Sequence, residues 1–128
     1  MLRAAGAGEP LTVPADCGGS FLGLDDFIQT VDLLLGTDLR GGQVFNLVSG
    51  YVTWKEIARL ILDVTGSTAP IRVVPRAEWT GAAFLADRWE LDDRRSRTEL
   101  GFKPTRDPAD LRLALRDAIA VTWKSLRR

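Results

Sequence analysis

Apolar residues recur along this chain at two spacings, and the switches between them mark out the elements. Phe27, Ile28, Val31, Leu34 and Leu35 share one side of a helix that Asp25 or Asp26 is placed to cap and Gly36 to end. The same period returns at Ile57, Leu60, Ile61 and Val64, opened by Thr53-Trp-Lys-Glu56 and stopped by Gly66. Thr53 and Glu56 have the spacing of a capping box, in which each side chain satisfies the other residue's backbone N–H. Leu111, Leu115, Ile119 and Trp123 line a last helix that starts at Asp107-Pro108. A short helix is predicted from Arg94 to Leu100, ending at Gly101. Strand patterns are shorter: Leu11–Val13, Gln43–Val48, and Ile71–Val74 held between Pro70 and Pro75. The remainder of residues 1–20 reads as largely irregular, and residues 76–93 fit neither period. The fold class expected is α/β, a small mixed domain of short strands and about four helices spanning residues 1–128.

Composition narrows the chemistry. With 128 residues the chain is one domain's worth, and 45% hydrophobic content is enough for a core. Lys+Arg and Asp+Glu balance at 17 each, so no global field draws nucleic acid or an anionic membrane, and neither partner is expected. Cys17 is the only cysteine and histidine is absent, which excludes an internal disulfide, a Cys/His zinc site and imidazole catalysis. No catalytic or metal-ligating set is assigned. No apolar run reaches the roughly 20 residues that span a bilayer, and the start lacks a signal-peptide core, so a cytoplasmic location is expected.

Several short motifs invite a chemical reading. Tyr51-x-x-x-Lys55 has the spacing of a proton-transfer pair, but Tyr51 precedes the Thr53 cap, so the pair straddles a loop–helix junction and is read as coincidence. Gly6-Ala-Gly8 lacks the third glycine and the preceding strand of a dinucleotide loop. Asp25-Asp26 and Asp92-Asp93 are read as helix caps before they are read as acid–base pairs. Arg72, Arg76 and Arg88, with Trp79 and Trp89, are the best candidates for ligand contacts. Guanidinium groups grip anions and indoles stack on rings, while the competing reading is surface charge and core aromatics. Arg76, Trp79 and Arg88 are taken as the substrate-binding residues.

In order along the chain, Gly8-Glu-Pro-Leu11, Phe21-Leu-Gly-Leu-Asp-Asp26, Val44-Phe-Asn-Leu47, the Thr53 helix, Asp92 with Arg95, and Leu100-Gly-Phe-Lys-Pro104 resemble one family. It is the C-terminal substrate-binding portion of the extended short-chain dehydrogenases/reductases, the NAD-dependent epimerase/dehydratase family. The resemblance implies a substrate-binding domain of an NAD(P)-dependent epimerase, dehydratase or reductase, inactive alone. NAD(P) and the Ser/Thr-Tyr-Lys set would sit on a Rossmann domain in cis or in trans, with no cofactor bound by these residues. The substrate implied is a small molecule, often a nucleotide-linked sugar. Many sugar-nucleotide members carry an arginine just before the Phe21 position, whereas Gly19 and Ser20 stand here, which speaks against a diphosphate sugar. The alternative is a stand-alone protein-binding or self-assembly module derived from that domain, with homo-oligomers as its expected form.

Overall fold

The structure is a computed structural model that describes residues 1–38 and 41–128. Its elements run α1 (Leu2–Gly6), β1 (Leu11–Pro14), β2 (Gly18–Phe21), α2 (Leu24–Leu35), β3 (Gly50–Thr53), α3 (Trp54–Thr65), β4 (Ile71–Val74), β5 (Arg88–Trp89), α4 (Arg94–Glu99) and α5 (Pro108–Leu126).

The best-specified element is α3. Thr53 Oγ1 accepts from Glu56 N at 3.2 Å, Glu56 Oε2 accepts from Thr53 N at 2.9 Å, and Gly66 closes the helix in the left-handed region at φ 66°. Ala58 and Ile61 on α3 bury against Ala5, Leu11 and Val13, which makes α3 the centre of the core. Helix α5 lies along it, tied by Arg112 to Glu56 and Arg116 to Asp63. Among the described residues no helix is long and apolar enough to cross a membrane.

Two small sheets flank this centre. Strands β1 and β4 pair in parallel, with Leu11 opposite Ile71 and Thr12 opposite Arg72. In the second sheet β2 lies between β3, antiparallel, and β5, parallel. Gly18 is required there: a Cβ would come within 2.5 Å of Val52 O and 2.8 Å of Thr53 Cα, so any side chain would push β3 away.

The structure corrects several expectations. Residues 1–20, expected to be largely irregular, hold α1, β1 and most of β2, because glycines that weaken a strand locally permit its close pairing with β3. The expected α/β class of short strands and about four helices holds, with α1 bringing the helices among the described residues to five. Gln43–Val48 has strand composition but pairs with no strand among the described residues; β3 begins later, at Gly50. Neither Asp25 nor Asp26 caps α2, whose N-cap is Gly23.

Residues 76–93 resisted periodicity because indole N–H groups organise them. Two 3₁₀ turns, Arg76–Glu78 and Ala83–Ala86, are pinned by Trp79 Nε1 donating to Ala82 O (2.9 Å), Trp89 Nε1 to Phe84 O (2.6 Å) and Trp54 Nε1 to Leu85 O (2.9 Å). Such bonds from side chain to backbone leave no repeat in the sequence.

Candidate functional site

The parallel register of β1 and β4 sets Thr12 beside Arg72 on the outer face of their sheet, while Leu11 and Val13 point into the core. The segment from Glu78 to Gly81 rises along that face and encloses a cleft of about 370 Å³ lined by Thr12, Arg72, Val74, Glu78, Trp79 and Thr80. Trp79 folds back over Gly81, where a Cβ would meet its ring at 2.2 Å, so the indole is held as one wall of the cleft.

The three residues selected from the sequence therefore fall in different settings. Trp79 lines the cleft. Arg76 lies outside the cleft lining and pairs with Asp87 at 3.0 Å. Arg88 pairs with Glu90 at 2.6 Å and lies over the Tyr51 ring at 5.5 Å. Trp89 is spent on the bond to Phe84, and Arg72 is the guanidinium that joins Trp79 in the cleft.

Tyr51 and Lys55 straddle the junction between β3 and α3. The Tyr51 hydroxyl is buried near Gly18 without a hydrogen-bond partner among the described residues. Burial pushes its pKa up against the opposing charge of Arg88, the reverse of what proton abstraction by a tyrosinate needs. Gly6-Ala-Gly8 ends α1 rather than following a strand, and the space a Gly6 side chain would need is filled by Trp123 at 2.4 Å. That segment does not fit a dinucleotide phosphate.

A second feature, invisible to periodicity, is a buried carboxylate. Asp26 is 1% exposed and accepts from the Ser49 hydroxyl and from Thr105 N and Oγ1, both at 2.6 Å. Ser49 Oγ in turn accepts from Gly23 N at 2.7 Å. Burial alone would raise the Asp26 pKa, but the bonds from Ser49 and Thr105 and the nearby Arg106 charge outweigh it and leave it lowered. One carboxylate thus locks the start of α2, the lead into β3 and the approach to α5. Asp92 does similar local work at α4, where its Oδ1 accepts from Arg94 N at 3.0 Å.

That lock holds α2 with its polar side inward. Asp26 and Thr30 are buried, while Leu24, Phe27, Ile28 and Leu35 are 72, 51, 52 and 83% exposed. Val31 and Leu34 lie on the same outward stripe. The periodicity located the helix, and the structure turns its apolar face to the outside. Beside it the Val44–Val48 stretch joins neither sheet among the described residues, and is held by Arg95 donating to Val44 O and Asn46 donating to Asp92 O. Val44 there is 81% exposed.

No family model and no curated protein matches the chain. Solved structures do. The Bordetella bronchiseptica enzyme WbmG, in complex with NAD, is 29% identical, with a TM-score of 0.65 over 94% of this chain and 37% of that one. UDP-glucuronic acid 4-epimerase from Bacillus cereus, in complex with NAD, is 21% identical, with a TM-score of 0.60 over 95% and 38%. UDP-glucose 4-epimerase from Thermotoga maritima is 20% identical, with a TM-score of 0.62 over 98% and 38%. The last two show the fold alone. The chain resembles part of these solved structures and spans less than two fifths of their length.

Proposed function

We propose that this chain is the substrate-holding portion of an NAD(P)-dependent epimerase, dehydratase or reductase, and that it performs no turnover until a nucleotide-binding domain covers it. The observation that carries the reading is α2: a helix with polar residues inside and an apolar stripe outside leaves that stripe for another surface to cover. The Val44–Val48 stretch beside it joins neither sheet among the described residues and supplies backbone groups for the edge of a further one. In this reading the covering domain brings NAD(P) and the proton-transfer groups, and the present residues orient the substrate and exclude water.

The test is to add the nucleotide-binding portion of WbmG to the isotopically labelled chain. Resonances of Phe27, Ile28, Val31 and Val44 should shift, and no heat should follow addition of NAD to the chain alone. A clear NAD isotherm from the chain alone, or unmoved α2 resonances, overturns the reading. The same apolar stripe favours a second reading, self-assembly through α2. A dimer in sedimentation that Ile28→Lys dissolves would establish that reading instead.

A further inference from the structure

The segment from Pro70 to Leu91 carries three arginines, Arg72, Arg76 and Arg88, and three carboxylates, Glu78, Asp87 and Glu90. Two of the arginines are in contact with two of the carboxylates, Arg76 with Asp87 at 3.0 Å and Arg88 with Glu90 at 2.6 Å. These pairs are exposed and individually weak. Their consequence is one of placement: a carboxylate already stands where each guanidinium would receive a phosphate, so the segment offers no net positive field to a multiply charged group. Among the described residues Arg72 has no carboxylate within pairing distance, and it lines the cleft with Trp79, Thr12, Thr80 and Glu78.

The geometry points to this cleft as a site for a single sugar unit carrying one carboxylate, and not for a nucleoside diphosphate. One guanidinium grips one carboxylate through two parallel N–H bonds. The indole of Trp79 offers an apolar face to the C–H side of a sugar ring, and Thr12, Thr80 and Glu78 meet its hydroxyls. A volume of about 370 Å³ stands at the small end of ligand sites, which run from roughly 300 to 1,000 Å³, and suits one ring rather than a ring with a nucleotide attached. The assignment rests on reading the chain as a substrate-holding domain and deepens it by naming the charge class.

The experiment titrates the labelled chain with glucuronate, glucose and UDP while following backbone and side-chain resonances. Glucuronate should shift Thr12, Arg72 and the Trp79 indole, glucose should bind at least tenfold more weakly, and UDP should bind no tighter than glucuronate. Arg72→Gln should remove the preference for glucuronate over glucose, while Arg76→Gln leaves it within twofold. UDP binding tenfold tighter with shifts at Arg76 and Arg88 overturns the assignment, as does an Arg72→Gln chain that still prefers glucuronate. Silence at all three cleft residues also overturns it, and leaves the domain reading to its own test, since Phe27, Ile28 and Val44 do not line this cleft.

Discussion

Replacing Asp26 with alanine removes the acceptor for three donors at once: the Ser49 hydroxyl and both the N–H and hydroxyl of Thr105. Hydrogen bonds to a charged acceptor contribute about 1.5–3 kcal/mol each, and a buried donor left unpaired costs about 1–3 kcal/mol. Thr105 is exposed, so water recovers part of its loss; Ser49 is buried and retains only its bond from Gly23. The net cost of Asp26→Ala is therefore about 3–5 kcal/mol, a large share of a small domain's stability. Asp26→Asn keeps one oxygen for Thr105 but turns an NH₂ toward Ser49, whose own hydrogen then has no acceptor, at about 1–2 kcal/mol. Urea denaturation followed by tryptophan fluorescence measures both. The pH dependence supplies a second sign. The native pKa of Asp26 lies below its ordinary value of about 3.9, so its contribution is complete above that pH and is lost as the pH falls through the native pKa. The gap between wild type and Asp26→Asn should stay constant from pH 7 to about 5 and close below pH 4. An alanine variant that loses less than 1 kcal/mol, or a gap that persists in acid, refutes the lock.

Three further outcomes follow from the same reasoning. Glu56 accepts from Thr53 and from Arg112 at 2.6 Å, so Glu56→Gln should cost about 1–2 kcal/mol in chemical denaturation, with hydrogen exchange faster through the first turn of α3. Gly18→Ala drives a Cβ into Val52 O and should lower stability by about 1–3 kcal/mol, read as an earlier thermal midpoint with β2–β3 amides losing protection. Ile28→Lys on the outer stripe of α2 should change the stability of the isolated chain by less than about 0.5 kcal/mol while abolishing binding of a covering domain. A large loss of stability in that variant at dilute concentration would show Ile28 to be buried in the chain itself.

What the sequence discloses is divided by the range of the interaction. Helix α3 was legible because its cap, its stop and its apolar face lie within fourteen residues, from Thr53 to Gly66. Strand β2 was not, because Gly18 and Gly19 carry no strand preference; only the distance to Val52 and Thr53 shows why glycine stands there. The Asp26 lock joins residues 79 positions apart, and the local rule that puts aspartate at helix starts gave a cap instead. The cleft was half legible. Trp79 and Arg72 stood out by residue type, but Thr12 enters through the β1–β4 register, and the carboxylates that occupy Arg76 and Arg88 are set by the fold of residues 75–91.

The two remaining discrepancies have one cause. Gln43–Val48 reads as a strand and joins no sheet among the described residues; α2 reads as an amphipathic helix and presents its apolar side outward. In both places the sequence states what the residues favour, an edge to pair with and a surface to bury against, and the described residues supply neither. A pattern of apolar positions states that a face must be covered but not which part of the molecule covers it. Had the two demands been met within these residues, α2 would have turned Phe27, Ile28 and Val31 toward the α3 core. Instead a buried carboxylate at Asp26 holds the helix in the opposite sense through donors in β3's approach and at Thr105. Burying a charge at Asp26 while the apolar side of α2 stays exposed leaves a surface suited to being covered, and the proposed covering domain and the self-assembly reading both rest on that orientation.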